Sequence, residues 1–323
     1  MTARAHPAIP HLAGRDAALR QLGWTGRDAA WLGLVCLHSG VFLRSQYAIH
    51  RHCHQTTGLR FVQRLINAGA ARQQPLAPDR GTASEQLCHV TSRPLYRALG
   101  IEHVRHRRTG SPGLLFRRLL SLDYVIDHPR LPWLPTEQEK VAHFTGLGVP
   151  LADLPQTVFK GAVAPTVRYF TKKLPITADD RSSTFVYTVG SRTDINALDY
   201  WGETHEALWN ALRRGGRTVQ VVAVTRTAGQ ARSIGKKLAR WCGPPPNAQE
   251  LSPEEQELMD DVQRARETRN WRILDKWGGV NDAADRVLAI QERTDATAPP
   301  GPAIDNSSTH VAERLAPDSI TLP

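Results

Sequence analysis

Between residues 57 and 67 the chain places Thr57, Arg60, Gln63, Arg64 and Asn67 at intervals of one or three residues. On a helix these positions share the side that faces away from Leu59, Val62, Leu65 and Ile66. Arg, Gln and Asn are the side chains whose paired donors and acceptors match the major-groove edges of guanine and adenine. Arg44, Arg51 and Arg80 lie on either side of this row, where a cation suits a phosphate. No Asp or Glu occurs from Arg44 to Pro78, so no acid within that stretch would repel a polyanion.

Other clusters have the residue types of an active site or metal centre but not the pattern. His50 and His54 in the run His50-Arg51-His52-Cys53-His54 would share a helix face, as zinc ligands do, but no second ligand pair stands at metal spacing. No metal and no cofactor is expected. Asp179-Asp180 could supply an acid before a strand at Ser183–Val189, as in metal-dependent nucleases. That strand has neither the Glu nor the Lys such a site needs, so nuclease chemistry is not expected. Glu203, His205 and Glu206 could exchange protons, but His205 sits beside an apolar stripe, where a packed histidine is the ordinary case. Phosphate-binding glycine loops, nucleophile elbows and His-Glu-x-x-His are all missing from the sequence, and no enzymatic activity is expected.

The elements that would hold the row in place follow from caps and periodicity. Thr25 can cap a helix with Trp31, Leu34, Val35 and Leu37 as its buried positions, ended by Ser39-Gly40. Val41–Leu43 is extended. Ser45 can cap a second helix carrying Tyr47, Ala48 and Ile49, and Thr56 or Thr57 a third, closed by Gly69. Ala70–Leu76 and Glu85–Val90 read as strands around the turn Ala77–Gly81, and Thr91 can cap a closing helix. Three helices followed by a hairpin is the order of a winged helix-turn-helix over residues 25–100, whose third helix enters the major groove and whose wing reaches the backbone.

The stretch from Val41 to Leu76, with Leu87–Gly100, resembles the winged-helix module of bacterial replication-relaxation proteins, which accompany plasmids and other mobile elements. Phe42-Leu43-Arg44-Ser45, Leu65–Gly69 and Thr91–Gly100 stand in the places of that family's motifs. The resemblance covers about 75 residues. It implies a sequence-specific protein on double-stranded DNA, regulating transcription of a plasmid or mobile element. The alternatives are an accessory factor of replication or mobilisation at an origin, or a nuclease or adaptor of a defence system.

Beyond this unit the expected class is α+β or α/β with several domains. Residues 1–24 read as an irregular arm and 101–112 as a basic linker. Residues 113–243 read as a catalytically silent α/β domain. In it, Leu114–Ile126 and a Thr136-capped segment are helical, and strands 183–189 and 218–225 flank a helix 195–212 in a parallel βαβ unit. Residues 244–293 are expected to be helical, with Leu258, Met259, Val262, Trp271, Leu274, Trp277 and Leu288 apolar. Residues 294–323 lack periodicity and are expected to be disordered.

Charge distribution agrees with the row. The 323 residues carry a net charge of +10. Residues 1–112 hold 15 Arg, no Lys and 5 acids, so the whole excess lies in the first third, together with 9 of the 13 His. That third is therefore expected to carry the DNA affinity on its own. The four Cys form no C-x-x-C pair, and Cys36 and Cys88 lie in apolar runs, which fits a reducing cytoplasm. The longest apolar runs are too short to span a membrane, and the N-terminus has no apolar core of a signal peptide. Among protein partners, the sequence leaves a homodimer open.

Overall fold

The computed structural model describes residues 12, 14–75, 86–160, 165–242, 252–297 and 302–315. The chain is mixed α/β, with three sheets among these residues. Helices α1 (Arg15–Arg20) and α2 (Gly26–His38) are followed by β1 (Val41–Leu43), α3 (Arg44–His50), α4 (Gln55–Asn67), β2 (Ala71–Pro75), β3 (Gln86–Val90) and α5 (Arg93–Ala98). The three strands form an antiparallel sheet in the order β1-β3-β2. The supposed arm is therefore partly helical, and Leu12 and Leu19 are buried in the core beside α2.

Helix α6 (Pro112–Asp127) comes next, then α7 (Glu137–Gly146), the hairpin β4 (Gln156–Phe159) and β5 (Thr166–Tyr169), β6 (Ile176–Ala178) and β7 (Ser182–Val189). The α7 cap is the expected reciprocal one. Thr136 Oγ1 accepts from Glu139 N at 3.1 Å, and Glu139 Oε2 accepts from Thr136 N at 2.9 Å. Helices α8 (Arg192–Asn196), α9 (Leu198–Glu203) and α10 (Glu206–Arg214) lead to β8 (Thr218–Thr225), which pairs in parallel with β7. The single helix expected over 195–212 is thus three short ones. Gly202 allows the break to pack tightly, since a Cβ there would lie 2.7 Å from Trp241 and 2.8 Å from Pro302.

After α11 (Ala228–Leu238), helices α12 (Pro253–Thr268) and α13 (Val280–Thr297) share a small core of Leu258, Ala265, Leu274, Trp277, Ala283 and Ile290. The chain then returns to the sheet. β9 (Asn306–Val311) runs parallel to β8 and completes the order β6-β7-β8-β9. The disorder expected for 294–323 therefore fails over 294–297, the end of α13, and over 302–315. A strand of Ser, Thr and His has no hydrophobic period of its own, and it is held by edge pairing and by side chains at its ends. Asp305 accepts from Val219 N at 2.7 Å and from Arg213 Nε at 3.0 Å. At the other end Ala312 and Leu315 enter the core.

The boundary expected at 101–112 is not a free linker. Ile101 and His106 are buried, and the His106 ring pairs through Nδ1 with the Cys36 carbonyl at 3.2 Å. Helix α6 then inserts between the first unit and the β7–β8 sheet, with Leu119, Leu120, Leu122 and Val125 fully buried. None of the helices is long and apolar enough to cross a membrane among the described residues.

Candidate nucleic-acid interface

Helix α4 is started by His54, whose Nδ1 accepts from Thr56 N at 3.3 Å, and not by Thr56 or Thr57. Its buried face is Gly58, Phe61, Val62 and Leu65. The stripe expected from the sequence is therefore turned by about one residue: Leu59 is 46% exposed and Ile66 only half-buried. Phe61 explains the turn. Its ring stacks on Tyr47 of α3 with centroids 4.3 Å apart and planes 3° from parallel, and it also meets Phe42 and Trp24. A phenyl ring buries more apolar surface than Leu59 would, and such a stacked pair adds about 0.5–1.5 kcal/mol beyond burial. Gly58 makes room for α3, since a Cβ there would lie 3.0 Å from Arg44 Cγ and 3.4 Å from the Tyr47 ring.

The turned helix still leaves Thr57, Arg60, Gln63, Arg64 and Asn67 exposed, now with Leu59 among them. Gln63 Nε2 donates to Asn67 Oδ1 at 2.9 Å, so these two amides hold each other along the helix. Arg60 has no ion pair or hydrogen bond among the described residues, and neither has the exposed guanidinium of Arg44. Arg51 and Arg64 differ. Asp28 of α2 accepts from Arg51 Nη1 at 3.2 Å, from Tyr47 Oη at 2.9 Å, and from Arg64 through its other oxygen. Arg64 also lies over the Trp24 and Phe61 rings at 5.8 and 5.7 Å. The stretch 44–78 has no acid of its own, but the fold supplies one from α2. Arg80 lies outside the described residues. Leu59 was missed because its type suits a core, and only the i+3 and i+7 relation of Phe61 and Leu65 to Gly58 signals the true phase.

The remaining clusters are occupied by structural work. His50 packs against Trp31 at 5.0 Å, while His54 caps α4. Asp179 Oδ1 accepts from Arg181 N and Ser182 N, both at 2.8 Å, which closes the turn between β6 and β7 and holds its carboxyl below the usual range. His205 is buried among Trp201, Trp209 and Phe185, and its Nδ1 pairs with the Trp201 carbonyl at 2.8 Å. Burial pushes it down to about 3, partly opposed by that hydrogen bond, while Glu203 points to solvent. Burial likewise raises the Cys36 and Cys88 thiols to about 12, so both are inert at neutral pH.

Asp123, Asp127 and His310 bring three metal-type ligand atoms within 4.8 Å of one another. Arg314 already fills the cation's role. Its Nε donates to Asp123 Oδ1 at 2.8 Å, and its Nη2 pairs with Asp127. Gln46 of α3 donates to the same Asp123 oxygen at 3.1 Å, so this knot ties β9 and the residues after it to the first turn of α3. Burial raises Asp123. Asp127 is also raised by burial, but His310 and Arg314 outweigh it and bring it down to about 2.

The chain matches no protein-family model, no curated protein and no solved structure.

Proposed function

We propose that α2 to α5 with the β1-β3-β2 sheet form a winged helix-turn-helix and that the protein binds double-stranded DNA through α4. One observation carries this reading. A helix packed across α3 presents Thr57, Arg60, Gln63, Arg64 and Asn67 to solvent, and α4 itself has no acid. In this arrangement Arg60, with no partner among the described residues, reads a guanine edge, and Leu59 touches a thymine methyl. Gln63 and Asn67 form a preset amide pair for adenine. Arg44 meets the backbone. Arg51 and Arg64, held by Asp28, position the helix and do less of the reading. The resemblance to replication-relaxation proteins adds the biological setting: regulation of a plasmid or mobile element. The engagement of Asp179 and His205 in turn and core supports a non-catalytic role for the α/β part.

The full chain is the right material for a test. Each fully buried Leu of α6 contributes about 1.5–3 kcal/mol. A fragment ending at residue 112 would expose the face they cover, and a domain has only about 5–15 kcal/mol in total. The test is fluorescence anisotropy with labelled duplexes over a salt series. Arg44→Ala is expected to weaken binding to all duplexes and lower the salt slope by about one. Salt-independent binding, or an unchanged slope in Arg44→Ala, would oppose the reading.

A further inference from the structure

A cavity of about 330 Å³ lies between the end of α2, helix α6, the loop 171–174 and the carboxyl end of β7. Its volume is in the range of small-molecule sites, about 300–1,000 Å³. Arg117, Arg118, Lys172 and Lys173 all line it, and no Asp or Glu does among the described residues. Asp194 lies 3.3 Å from Arg117 and also accepts from Gly190 N and Ser191 N, and Glu137 acts on Lys173 from the α7 side. The four cations outnumber these two carboxylates, and Arg118 is in addition held by the His106 carbonyl at 3.1 Å. Thr188 also lines the cavity, is 1% exposed, and its Oγ1 is buried with no hydrogen-bond partner. Buried hydroxyls are nearly always paired, so an unpaired one on a residue that lines a cavity calls for a partner.

The loop is built to hold its charges there. Phe170 and Lys173 both take left-handed backbone conformations, with φ of 48° and 52°, at non-glycine residues. Such conformations cost about 1 kcal/mol or more each and persist where the surroundings enforce them. Phe170 N donates to the Pro155 carbonyl at 2.8 Å, and Lys173 N to the Phe170 carbonyl at 3.0 Å, which fixes the turn. The positive charges act on one another. Lys172 is lowered by burial and then by Arg117, and His106 on the cavity wall is lowered by burial and then by Arg118 and Lys173.

We propose that this cavity binds a small phosphate-bearing organic anion, with Lys172, Lys173 and Arg117 around the phosphate and Thr188 donating to one of its oxygens. The uncharged part would lie against the Tyr187 ring and Leu174. The site is separate from the α4 face, and because it joins α6 to the sheet, an occupant would stiffen the connection between the DNA-binding unit and the rest of the chain. Thr188→Val is the clean perturbation, because it keeps the shape and removes a hydroxyl that has no partner among the described residues.

Isothermal titration of the full chain with adenosine 5′-monophosphate, inorganic phosphate and citrate tests the site. Saturable one-to-one binding of the monophosphate is expected. Thr188→Val and Lys172→Ala should each weaken it by about tenfold, the loss of one charge-assisted hydrogen bond, with the melting temperature of the free protein kept. Citrate, which carries charge without phosphate geometry, should bind more weakly. No saturable binding of either phosphate probe up to about 10 mM would overturn the proposal. So would equal affinity in both variants. Monophosphate binding lost in Arg60→Ala but kept in Thr188→Val would place the anion on the DNA face and overturn it as well.

Discussion

Lys140 of α7 is 3% exposed, and its ammonium has one hydrogen bond among the described residues, to the Leu174 carbonyl at 2.7 Å. Burial lowers it from 10.5 to about 7, helped by Lys173 and opposed by Glu139 and Glu137. Below pH 7 both folded and unfolded chains carry the proton, and the folded state bears the full cost of a buried charge. From 7 to 10.5 the unfolded chain holds more protons, so stability should rise with pH; above that window the cost is gone. Each pH unit of difference is worth about 1.4 kcal/mol, which bounds the effect at roughly 5 kcal/mol. Lys140→Met keeps the length of the stem and removes the charge. Its loss of the bond to Leu174 costs about 1–3 kcal/mol at every pH, so the diagnostic quantity is the change of the difference with pH. Urea unfolding of both proteins at pH 6, 8 and 10 should show wild type gaining a few kcal/mol on the variant from the lowest to the highest pH. A constant difference, or one that moves the other way, would refute a Lys140 neutralised by burial.

Three further outcomes are expected. His205, lowered by burial from 6.5 to about 3, should cost stability as pH falls through that window, because the unfolded chain takes up the proton first; the urea midpoint of wild type should drop relative to His205→Phe between those values. Arg314→Ala leaves Asp123 buried without its cation and should destabilise by about 3–5 kcal/mol, with Asp123→Asn in the same chain restoring part of the loss in a thermal melt. Gly202→Ala should destabilise by about 1–3 kcal/mol through overpacking against Trp241 and Pro302, whereas Gly229→Ala, whose Cβ meets only Thr227 Oγ1 at 3.8 Å, should be neutral or stabilising in the same melt.

Much of the secondary structure was legible because it rests on local chemistry. The Thr136 cap, the alternation and β-branching of β7 and β8, and the Leu-rich face of α6 are all written within a few residues of where they act. What stayed hidden depends on distant partners. The phase of α4 turns on Phe61 meeting Tyr47, and two competing stripes, 58/61/62/65 and 59/62/65/66, fit the same segment. β9 has no apolar period, and its strand is set by β8 and by Asp305. Asp28 lies far in sequence from Arg51 and Arg64 but beside them in space, so an acid-free stretch became a partly neutralised surface. Residues 101–112 look like a linker by charge, yet Ile101 and His106 are core residues.

The most direct test is selection of bound duplexes from a randomised pool by the full chain, wild type and Arg60→Ala in parallel. Wild type should enrich a defined motif that includes a guanine. Arg60→Ala should lose preference at that position alone, a change of about 1–3 kcal/mol in discrimination, while keeping the flanking bases and the affinity for random DNA. No enriched motif from wild type, or an identical motif from both proteins, would contradict a DNA-reading role for α4.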